Sequence, residues 1–512
     1  MRPRHFLSFF TTRFIRIFIA VTALLFAYFI QEVNLNALRD DGVPLREQKT
    51  IKTADDISYL SPARNYYNTG RIYGSEVQKY QSVTRSPGYG ALYGIMLTVL
   101  GPENALSGLK WIQLLLYGIS IYLLFGIATH LIKHTLLAYV VVVIYALLPF
   151  SHGFIYYTLT EGVTPSLSII FFSLLLYAHR LSSVKWYLIS AFLLCIIIAI
   201  RPFLLLFAIP LVGYIYMDFH QQKKQLFKAL FFSLLISWMF MGAWQIRNYI
   251  VLDKFTGLHP IYQKEIPGVF RPVHASVWNF YKGFEHRGDH FHEALIPFWQ
   301  QSLQGDTSKA FVVSHVSKLP IFVRERLSTD QLTAAFSSYQ YVTSLQKEFL
   351  DRDELIPKWI NDKETKTAEL FDALASDFRG KEPFIYHVKT PANALVQLLG
   401  HSNLSLYIFQ KKYRGRWWME SLRALSFLLC AGSFLLCFLT LVVWKKLPEI
   451  ALVSLPIILA IFYLSYFQRG TEERYLLPFL PMAFVIAAGL KTSLLRYIMQ
   501  KMNQPSLSRK SG

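Results

Sequence analysis

The chain has 512 residues, of which 53% are hydrophobic and only 16% charged, and its formal net charge is +20. This composition excludes an ordinary water-soluble protein, which would expose far more charge for its length. In so apolar a chain, the positive charge predicts basic loops at anionic membrane lipids and argues against nucleic acid as a partner. The sequence therefore predicts an all-α polytopic membrane protein.

Apolar runs recur along the chain, many close to the roughly 20 residues that cross a hydrocarbon layer. The first, at 14–31, has no small-residue cleavage site after it, so it is predicted to be an anchor and not a signal peptide. Nine further spans are predicted near 108–129, 135–151, 163–178, 184–200, 202–217, 228–246, 421–444, 448–466 and 475–491. Two of them meet at Arg201-Pro202, where a short re-entrant pair is an equal alternative. About ten transmembrane helices are expected, within a range of roughly 9–13.

The connections predicted to face the cytoplasm are basic, as the positive-inside rule requires. They contain Lys133, Arg180, Lys185, Lys223, Lys224, Lys228, Lys445 and Lys446. An even number of spans places both termini in the cytoplasm of a multi-pass protein of the cell (inner) membrane. The two long polar segments and any active site on them then face the extracytoplasmic side.

This topology divides the chain into six parts. They are the N-terminus with the first transmembrane helix (1–31), the first extracytoplasmic loop with juxtamembrane helices (32–107), the transmembrane core (108–249), a large extracytoplasmic segment (250–418), the C-terminal transmembrane helices (419–491) and a cytoplasmic tail (492–512). Within the large segment, 364–378 has apolar residues at helical spacing, and 392–400 is an apolar patch suited to a membrane surface.

The first outer loop contains TADDISYL at 53–60, with the adjacent acids Asp55 and Asp56 followed by Tyr59. An acid pair alone is most often a solvated loop or a helix cap. Residues 62–73 predict a short helix stopped at Gly70, and TRSPGYGALYG at 84–94 predicts a turn and a return to the membrane. These short elements would hold the acids at the outer surface, where a substrate could meet them.

Further charges lie at the outer ends of predicted spans. Glu161 either caps the helix that follows it, together with Thr160, or faces the same outer cavity as the acid pair. The arginines that border apolar runs there are Arg85, Arg201, Arg247 and Arg474. Each alone is explained by snorkelling to lipid phosphate, whereas the set has the guanidinium groups that bind a phosphate or pyrophosphate.

The chain has one cluster of candidate metal ligands, EHRGDHFHE at 285–293, with His286, His290 and His292. Because the spacing matches no strong zinc signature, a solvated loop is favoured, and a divalent metal ion is the alternative. All three cysteines lie in apolar runs, so neither a disulfide framework nor a paired-cysteine metal site is expected. No other cofactor is predicted.

The order of these motifs resembles that of the GT-C membrane glycosyltransferases. It runs from Asp55, Asp56 and Tyr59 through RSPGY at 85–89, Glu161, AIRPFLL at 199–205 and WQIRNYIVLDKF at 244–255 to EERYLLPFLP at 472–481. The chain is similar in particular to bacterial relatives of the dolichyl-phosphate-mannose protein mannosyltransferases and to the lipid A aminoarabinose transferases. The likeness covers about 14–255 and 420–490, and 256–418 has no counterpart in it.

The resemblance implies an enzyme that moves a sugar from a polyprenyl-phosphate carrier to a lipid, glycan or protein acceptor on the extracytoplasmic face. It implies a GT-C-like fold with Asp55 as the essential acid, and the further catalytic candidates are Asp56 and Glu161. The donor phosphate would meet Arg85, Arg201, Arg247 and Arg474, and the substrate would meet Tyr59, Tyr89 and Tyr475. Where the aminoarabinose transferases have a Glu-Lys pair, this chain has Thr84-Arg85, so the acceptor side departs from the family.

Three other kinds of protein are consistent with parts of the pattern. A flippase or transporter of lipid-linked sugars would show polar residues within its spans and symmetry between halves, and neither is clear here. A polysaccharide polymerase or ligase would use similar lipid donors. A non-enzymatic scaffold would use 250–418 to bind a partner.

Overall fold

The computed structural model describes residues 3–503, except 54, 75–82, 84, 253–254, 256–265, 270, 286–290, 401–414 and 471. The described part of the chain is mainly helical, and its strands are one short antiparallel pair, Leu45–Arg46 (β1) and Thr50–Ile51 (β2). In this pair Leu45 lies opposite Ile51 and Arg46 lies opposite Thr50. The prediction of an all-α protein is therefore confirmed.

The helices in the first half of the chain are Pro3–Asp40 (α1), Asp56–Thr69 (α2), Gly88–Leu100 (α3), Ala105–Ile132 (α4), Thr135–Leu147 (α5), Pro149–His152 (α6), Thr164–Leu181 (α7), Val184–Ile200 (α8), Ala208–Phe219 (α9) and Lys223–Leu252 (α10). The second half contains Pro272–Tyr281 (α11), Ile296–Leu303 (α12), Lys309–Ser317 (α13), Ile321–Arg326 (α14), Thr329–Ser344 (α15), Gln346–Asp351 (α16), Lys358–Lys381 (α17), Thr390–Gly400 (α18), Trp417–Val443 (α19), Pro448–Phe462 (α20) and Leu480–Asn503 (α21).

Short helical turns of other types join some of these helices. Turns of 3-10 helix cover Thr160–Gly162, Pro202–Phe207 and Glu473–Phe479, and π-helical turns cover Phe291–Leu295, Ile385–Lys389 and Tyr463–Gln468. The chain forms two compact units. Unit 1 is Met1–Pro260, Ser402–Ala460 and Glu473–Gly512, and unit 2 is Ile261–His401 and Ile461–Glu472.

Within the described ranges, seven helical stretches are long and apolar enough to cross a membrane, namely Arg13–Asp40, Ala105–Ile132, Thr164–Leu181, Pro202–Phe219, Lys223–Val251, Trp417–Val443 and Pro448–Gln468. Four shorter apolar helices accompany them, at Gly88–Leu100, Thr135–Leu147, Val184–Ile200 and Arg474–Leu490. The ten predicted spans coincide with the seven long stretches and three of the short ones, and Gly88–Leu100 is the fourth. The chain is thus a multi-pass helical membrane protein, and the number of crossings stays a prediction.

Small residues allow the helices of unit 1 to pack closely. One face of α1 buries Ala20, Ala23 and Ala27, and α1 packs against α4. At Gly118 of α4, an added Cβ would lie 2.8 Å from a methyl carbon of Leu24 on α1. This close approach explains why α1, although its side chains are as apolar as the lipid, packs against one particular neighbouring helix.

At Arg201-Pro202 the structure shows a break between two helices, and the choice between two spans and a re-entrant pair stays a prediction. Helix α8 ends at Ile200, Arg201 is extended (φ −145°, ψ 94°), and a 3-10 turn leads into α9. A residue before proline avoids the helical region, so Pro202 itself imposes the extended backbone of Arg201. The break leaves the Arg201 side chain at the buried C-terminal end of α8.

Unit 2 is a separate bundle with its own apolar core. Helices α11, α15 and α17 contribute large apolar side chains that include Phe280, Phe336, Phe371 and Phe378. The predicted amphipathic stretch 364–378 lies within α17, and of its four large apolar residues, Leu370, Phe371, Leu374 and Phe378, only Leu370 is exposed. A buried ion pair between Arg271 Nε and Glu364 Oε2, 2.7 Å long, anchors the start of α11 to α17.

Candidate active site

Asp55 lies at the start of α2, in unit 1, between two arginines. Its Oδ1 accepts from Arg85 Nη2 at 2.8 Å, and its Oδ2 accepts from Arg474 Nη2 at 3.1 Å. Asp55 occupies the N-cap position, but its side chain makes no capping hydrogen bond. The helix begins at Asp56, earlier than the sequence predicted, and ends as predicted at Gly70, whose φ is 69°. The carboxylate is therefore directed toward the guanidinium groups and away from the helix.

Glu161 lies in the 3-10 turn before α7 and meets the other side of Arg474. Its Oε1 is 3.1 Å from Arg201 Nη1 and 3.9 Å from Arg474 Nε. The Thr160 hydroxyl donates to Glu161 Oε2 at 3.1 Å, and the N-cap residue of α7 is Val163. Glu161 thus pairs with arginines and does not cap the helix that follows.

These contacts form one row of alternating charge, in the order Arg85, Asp55, Arg474, Glu161, Arg201. Arg474 is its centre, because it is the residue that contacts both acids, and it lies 419 positions from Asp55 in sequence. We call these five residues the ionic row. The structure brings together two of the three predicted acids and three of the four predicted arginines.

The RSPGYG turn is held in place by close backbone contacts. The Ser86 hydroxyl donates to the Ala199 carbonyl. A Cβ at Gly88 would lie 2.4 Å from the Ala199 carbonyl carbon, and a Cβ at Gly90 would lie 2.8 Å from the Tyr59 carbonyl oxygen. Since no side chain fits at either glycine, the turn lies directly against α2 and the end of α8. The close packing of this turn places Arg85 beside Asp55.

Of the three candidate tyrosines, Tyr59 and Tyr475 contact arginines of the ionic row, and Tyr89 packs against Tyr59. The Arg85 guanidinium lies 5.4 Å from the Tyr59 ring centre, and the Tyr59 and Tyr89 rings are 5.7 Å apart. The Tyr475 ring receives Arg201 at 5.0 Å and Arg474 at 5.5 Å. Aromatic faces stabilise guanidinium groups and fix their planes. Partial burial raises the pKa of the Tyr59 phenol, although neighbouring Arg85 opposes the shift.

Asp56 has a different environment from Asp55 and is fully buried. Arg46 donates to both of its oxygens, from Nε and from Nη2, each at 2.9 Å. The Thr158 hydroxyl adds a third hydrogen bond at 3.2 Å. Because these hydrogen bonds occupy both of its carboxylate oxygens, Asp56 links the β1–β2 hairpin to α2. The sequence analysis named Asp56 as catalytic and missed Arg46, which no spacing or motif marked.

Arg247 takes part in other contacts. Its guanidinium lies 4.9 Å from the Trp244 ring and donates to the Ile72 carbonyl at 3.2 Å and to Asn248 Oδ1 at 2.9 Å. It therefore fastens the chain just after α2 to α10. A role at the donor phosphate finds no support in these contacts.

The segment between α6 and α7 is a second feature that the sequence analysis missed. The Ile51 N–H donates to the Tyr156 carbonyl at 3.0 Å, and Gln113 Nε2 donates to the Ile155 carbonyl at 2.5 Å. The Tyr89 hydroxyl donates to Gln113 Oε1 at 3.1 Å. These bonds position the chain that leads into Glu161. Gln113 is a polar residue within an apolar run, and this pattern could have indicated from the sequence that it makes buried hydrogen bonds.

The candidate metal cluster falls largely outside the described residues. His286 and His290 are not among them, and the side chain of His292 is likewise outside the description. Among the residues that the structure does describe, no three histidine, cysteine or carboxylate side chains are grouped as metal ligands. The metal alternative therefore stays a prediction.

Exposure separates the three acids. The exposed fraction of the side chain is 31% for Asp55, 4% for Glu161 and 0% for Asp56. Among the arginines of the ionic row, Arg85 and Arg474 are more exposed than Arg201. A ligand that reaches this site from solvent or from the lipid surface would meet Asp55, Arg85 and Arg474 first.

Fold and site together define a multi-pass helical membrane protein with a half-buried ionic row in unit 1. Comparison with protein-family models, with curated proteins and with solved structures finds no match.

Proposed function

We propose that the chain is a GT-C-type membrane glycosyltransferase that moves a sugar from a polyprenyl-phosphate carrier to an acceptor on the extracytoplasmic face. The ionic row carries this proposal, because it collects acids and arginines from five separate segments of unit 1. A lipid carrier also accounts for an enzyme built from apolar helices. The isoprenoid tail would remain among lipids while its phosphate reaches the arginines.

The charge of the row suits the phosphate of such a donor. Three guanidinium groups and two carboxylates leave one net positive charge, and a phosphodiester carries one negative charge. When the donor binds, its phosphate competes with Asp55 for Arg85 and Arg474, the two accessible arginines. Guanidinium groups that are already fixed by tyrosine rings stabilise the charge that develops on a leaving phosphate.

Asp55 is the best placed of the three acids to act as a general base, because it is the most exposed. It would take the proton of an acceptor hydroxyl as the hydroxyl oxygen attacks the anomeric carbon. The bond from that carbon to the phosphate oxygen breaks, and the electron pair stays on the polyprenyl phosphate. Arg85 and Arg474 would neutralise the second negative charge that the phosphate then carries.

Glu161 and Arg201 would act as positioning residues in this scheme. Both are more buried than Asp55, and Arg201 shares the Tyr475 ring with Arg474. Glu161 holds Nε of Arg474 while Nη2 of the same group faces Asp55. The pair therefore sets the orientation in which Arg474 meets the donor.

The test uses the purified full chain in lipid vesicles with a polyprenyl-phosphate sugar that is radiolabelled in the sugar. A membrane extract supplies lipid, glycan and protein acceptors. We expect the label to leave the lipid phosphate and to appear on an acceptor, and Asp55→Asn to abolish this transfer. Asp351→Asn is the matched control, since Asp351 is an exposed acid of unit 2 paired with Lys347. Movement of intact donor across the bilayer, without cleavage of the sugar–phosphate bond, would instead establish a flippase.

A further inference from the structure

Arg469, in unit 2, is a buried cation that the proposed reaction does not use. It follows the π-helical turn Tyr463–Gln468, and its side chain is among the largest that are fully buried, with 1% of the residue exposed. Its Nη2 donates to the Tyr386 carbonyl at 2.6 Å, and its Nε donates to the Tyr466 carbonyl at 3.3 Å. The guanidinium lies 4.5 Å from the Tyr386 ring centre.

The charge of Arg469 is uncompensated within the described part of the chain, where no carboxylate lies at ion-pair distance and Nη1 has no hydrogen-bond acceptor. Arg271 offers a direct comparison, because it is equally buried in the same unit and pairs with Glu364. Burying a charge without a counter-charge is costly, and the protein has avoided that cost at Arg271. A bound anion would balance the charge of Arg469 as Glu364 balances that of Arg271.

A second arginine lies beside the first. The exposed Arg379 of α17 lies 4.9 Å from the same Tyr386 ring, so the two guanidinium groups are within about 10 Å of each other. His387 contacts the Tyr466 hydroxyl at 2.6 Å on the neighbouring π-helical turn. Like-charged groups repel at this distance, so an anion between or beside them would be favoured.

The backbone also holds Arg469 in an unusual conformation. Its φ is 51° and its ψ is 37°, which is the left-handed region that non-glycine residues seldom adopt. Strained residues and π-helical turns occur often at binding sites. Two π-helical turns, Ile385–Lys389 and Tyr463–Gln468, supply Tyr386 and Tyr466 here.

Exposed apolar side chains next to this cluster indicate what kind of anion it meets. Phe462 and Phe467 flank Tyr466 at the end of an apolar stretch long enough to cross a membrane, and Phe384 and Val388 flank Tyr386. All four side chains are at least half exposed. Lipid phosphates lie at the membrane–water interface. A cationic group with apolar neighbours, at the end of a membrane-spanning stretch, is typical of that interface.

We propose that Arg469 and Arg379, with Tyr386 and Tyr466, form a site for the phosphate of an anionic membrane phospholipid. The phosphate would accept hydrogen bonds from the exposed Arg379, its charge would balance that of the buried Arg469 behind the Tyr386 ring, and the acyl chains would lie against Phe462, Phe467 and Phe384. All residues of this site belong to unit 2, whereas the ionic row belongs to unit 1, and the proposal holds whether or not the chain transfers sugar.

The experiment is a lipid titration of the purified full chain in detergent, read by native mass spectrometry. Phosphatidylglycerol, phosphatidylcholine, diacylglycerol and inorganic phosphate are compared as ligands. We expect tightest retention of one phosphatidylglycerol molecule. Arg379→Ala should weaken it by about ten-fold, as for one lost charge-assisted hydrogen bond, and Arg469→Gln should weaken it because the buried positive charge is removed. Arg352→Ala is the control, since Arg352 is an exposed arginine of unit 2 paired with Glu348.

Arg379→Ala keeps the test decisive should Arg469→Gln fail to fold, because Arg379 is exposed and its loss leaves the interior intact. Equal retention of phosphatidylglycerol by Arg379→Ala and Arg352→Ala would overturn the proposal. So would retention of diacylglycerol as tight as that of phosphatidylglycerol, since the phosphate would then play no part. Binding of inorganic phosphate alone with the same affinity would replace the lipid by a free anion.

Discussion

At the scale of single residues, the two adjacent acids of the first loop have different environments. Asp55 is partly exposed and faces two arginines, whereas Asp56 is fully buried and accepts two hydrogen bonds from Arg46. Neighbours in a helix point about 100° apart, so one acid can face a cavity while the next faces the interior. This difference separates their expected roles.

Replacing each acid by its amide tests that separation. Asp55→Asn should reduce sugar transfer by roughly 10²–10⁴-fold, as for loss of a general base, and leave thermal unfolding unchanged. Asp56→Asn should instead destabilise the fold by about 3 kcal/mol, because Arg46 would lose the charge of its buried partner. Transfer rates and unfolding midpoints in detergent measure the two effects. Near-normal transfer by the Asp55 variant, or an unaltered midpoint for the Asp56 variant, would contradict the assignment.

Arg474 is the second residue whose geometry makes a specific prediction. Lysine keeps the charge but lacks the planar guanidinium fork that presents Nη2 to Asp55 and Nε to Glu161, so Arg474→Lys should still weaken donor binding. Donor use should weaken by about ten- to a hundredfold in Arg474→Lys, Arg474→Ala and Arg85→Ala. If Arg85 and Arg474 bind one phosphate, the Arg85/Arg474 double variant should lose less than the sum of the single losses. Strict additivity in a donor titration would show that they do not share a ligand.

At the scale of elements, the RSPGYG turn packs against the end of α8 through a glycine. An added Cβ at Gly88 would lie 2.4 Å from the Ala199 carbonyl carbon, which belongs to the backbone and cannot rotate away. Gly88→Ala should therefore push α3 from α8, with an overpacking cost of about 1–3 kcal/mol. We expect lower thermal stability and loss of transfer, because Arg85 would leave Asp55.

Gly126→Ala in α4 is the matched control for that prediction. No atom lies within 4 Å of a Cβ added there, and alanine favours a helix over glycine. This variant should be at least as stable as the parent protein. Equal unfolding midpoints for the Gly88 and Gly126 variants would show that the turn yields to the added methyl group.

The helices of unit 2 contain two buried histidines that make its stability depend on pH. Burial lowers the pKa of His274 and of His315 from 6.5 to about 3. Both are therefore neutral in the folded unit, whereas the unfolded chain protonates them below about pH 6.5. Unfolding consequently takes up protons, and the stability present above pH 6.5 is lost progressively as the pH falls toward 3.

Hydrogen exchange of α11 to α15 between pH 7 and pH 5, corrected for intrinsic exchange, measures this loss. Each histidine should contribute about 1.4 kcal/mol per pH unit below its unfolded pKa. His315→Gln should keep a hydrogen-bonding group opposite Tyr281, which contacts His315 Nε2 at 2.9 Å, and should flatten the pH dependence. A variant that tracks the parent protein across this range would show that His315 does not control it.

At the scale of the whole molecule, the predicted topology places both long polar segments on the same side of the membrane. The native cysteines are buried, so single introduced cysteines give a low background. An impermeant reagent on intact cells should label Asn68→Cys on α2 and Ser308→Cys before α13. Gln221→Cys, in the connection before α10, should react only after permeabilisation. Labelling of position 68 without position 308 would mean that the chain crosses the membrane an odd number of times between them. The two spans predicted on either side of Pro202 would then be the first to reassign.

Several features of the fold were predictable from the sequence because they depend on neighbouring residues. Apolar runs of membrane length became helices, Gly70 ended α2 in the left-handed conformation, and Pro202 broke the chain after α8. The start of α2 was predicted too late, since the helix was expected from residue 62 and begins at Asp56, where the acid pair meets arginines that are distant in sequence. Local patterns carry little information about such contacts.

By itself, the sequence determined that this is a helical membrane protein and which acids, arginines and tyrosines stand at the ends of its apolar runs. Only the tertiary structure decided which of them meet. Arg474 joins Asp55 across 419 positions, Asp56 turns to Arg46, and Arg247 fastens a different segment. The physical reason is that hydropathy and periodicity are properties of contiguous residues, whereas pairing depends on how closely two backbones approach. That approach is set by contacts such as Gly88 against Ala199, which no stretch of either segment encodes alone.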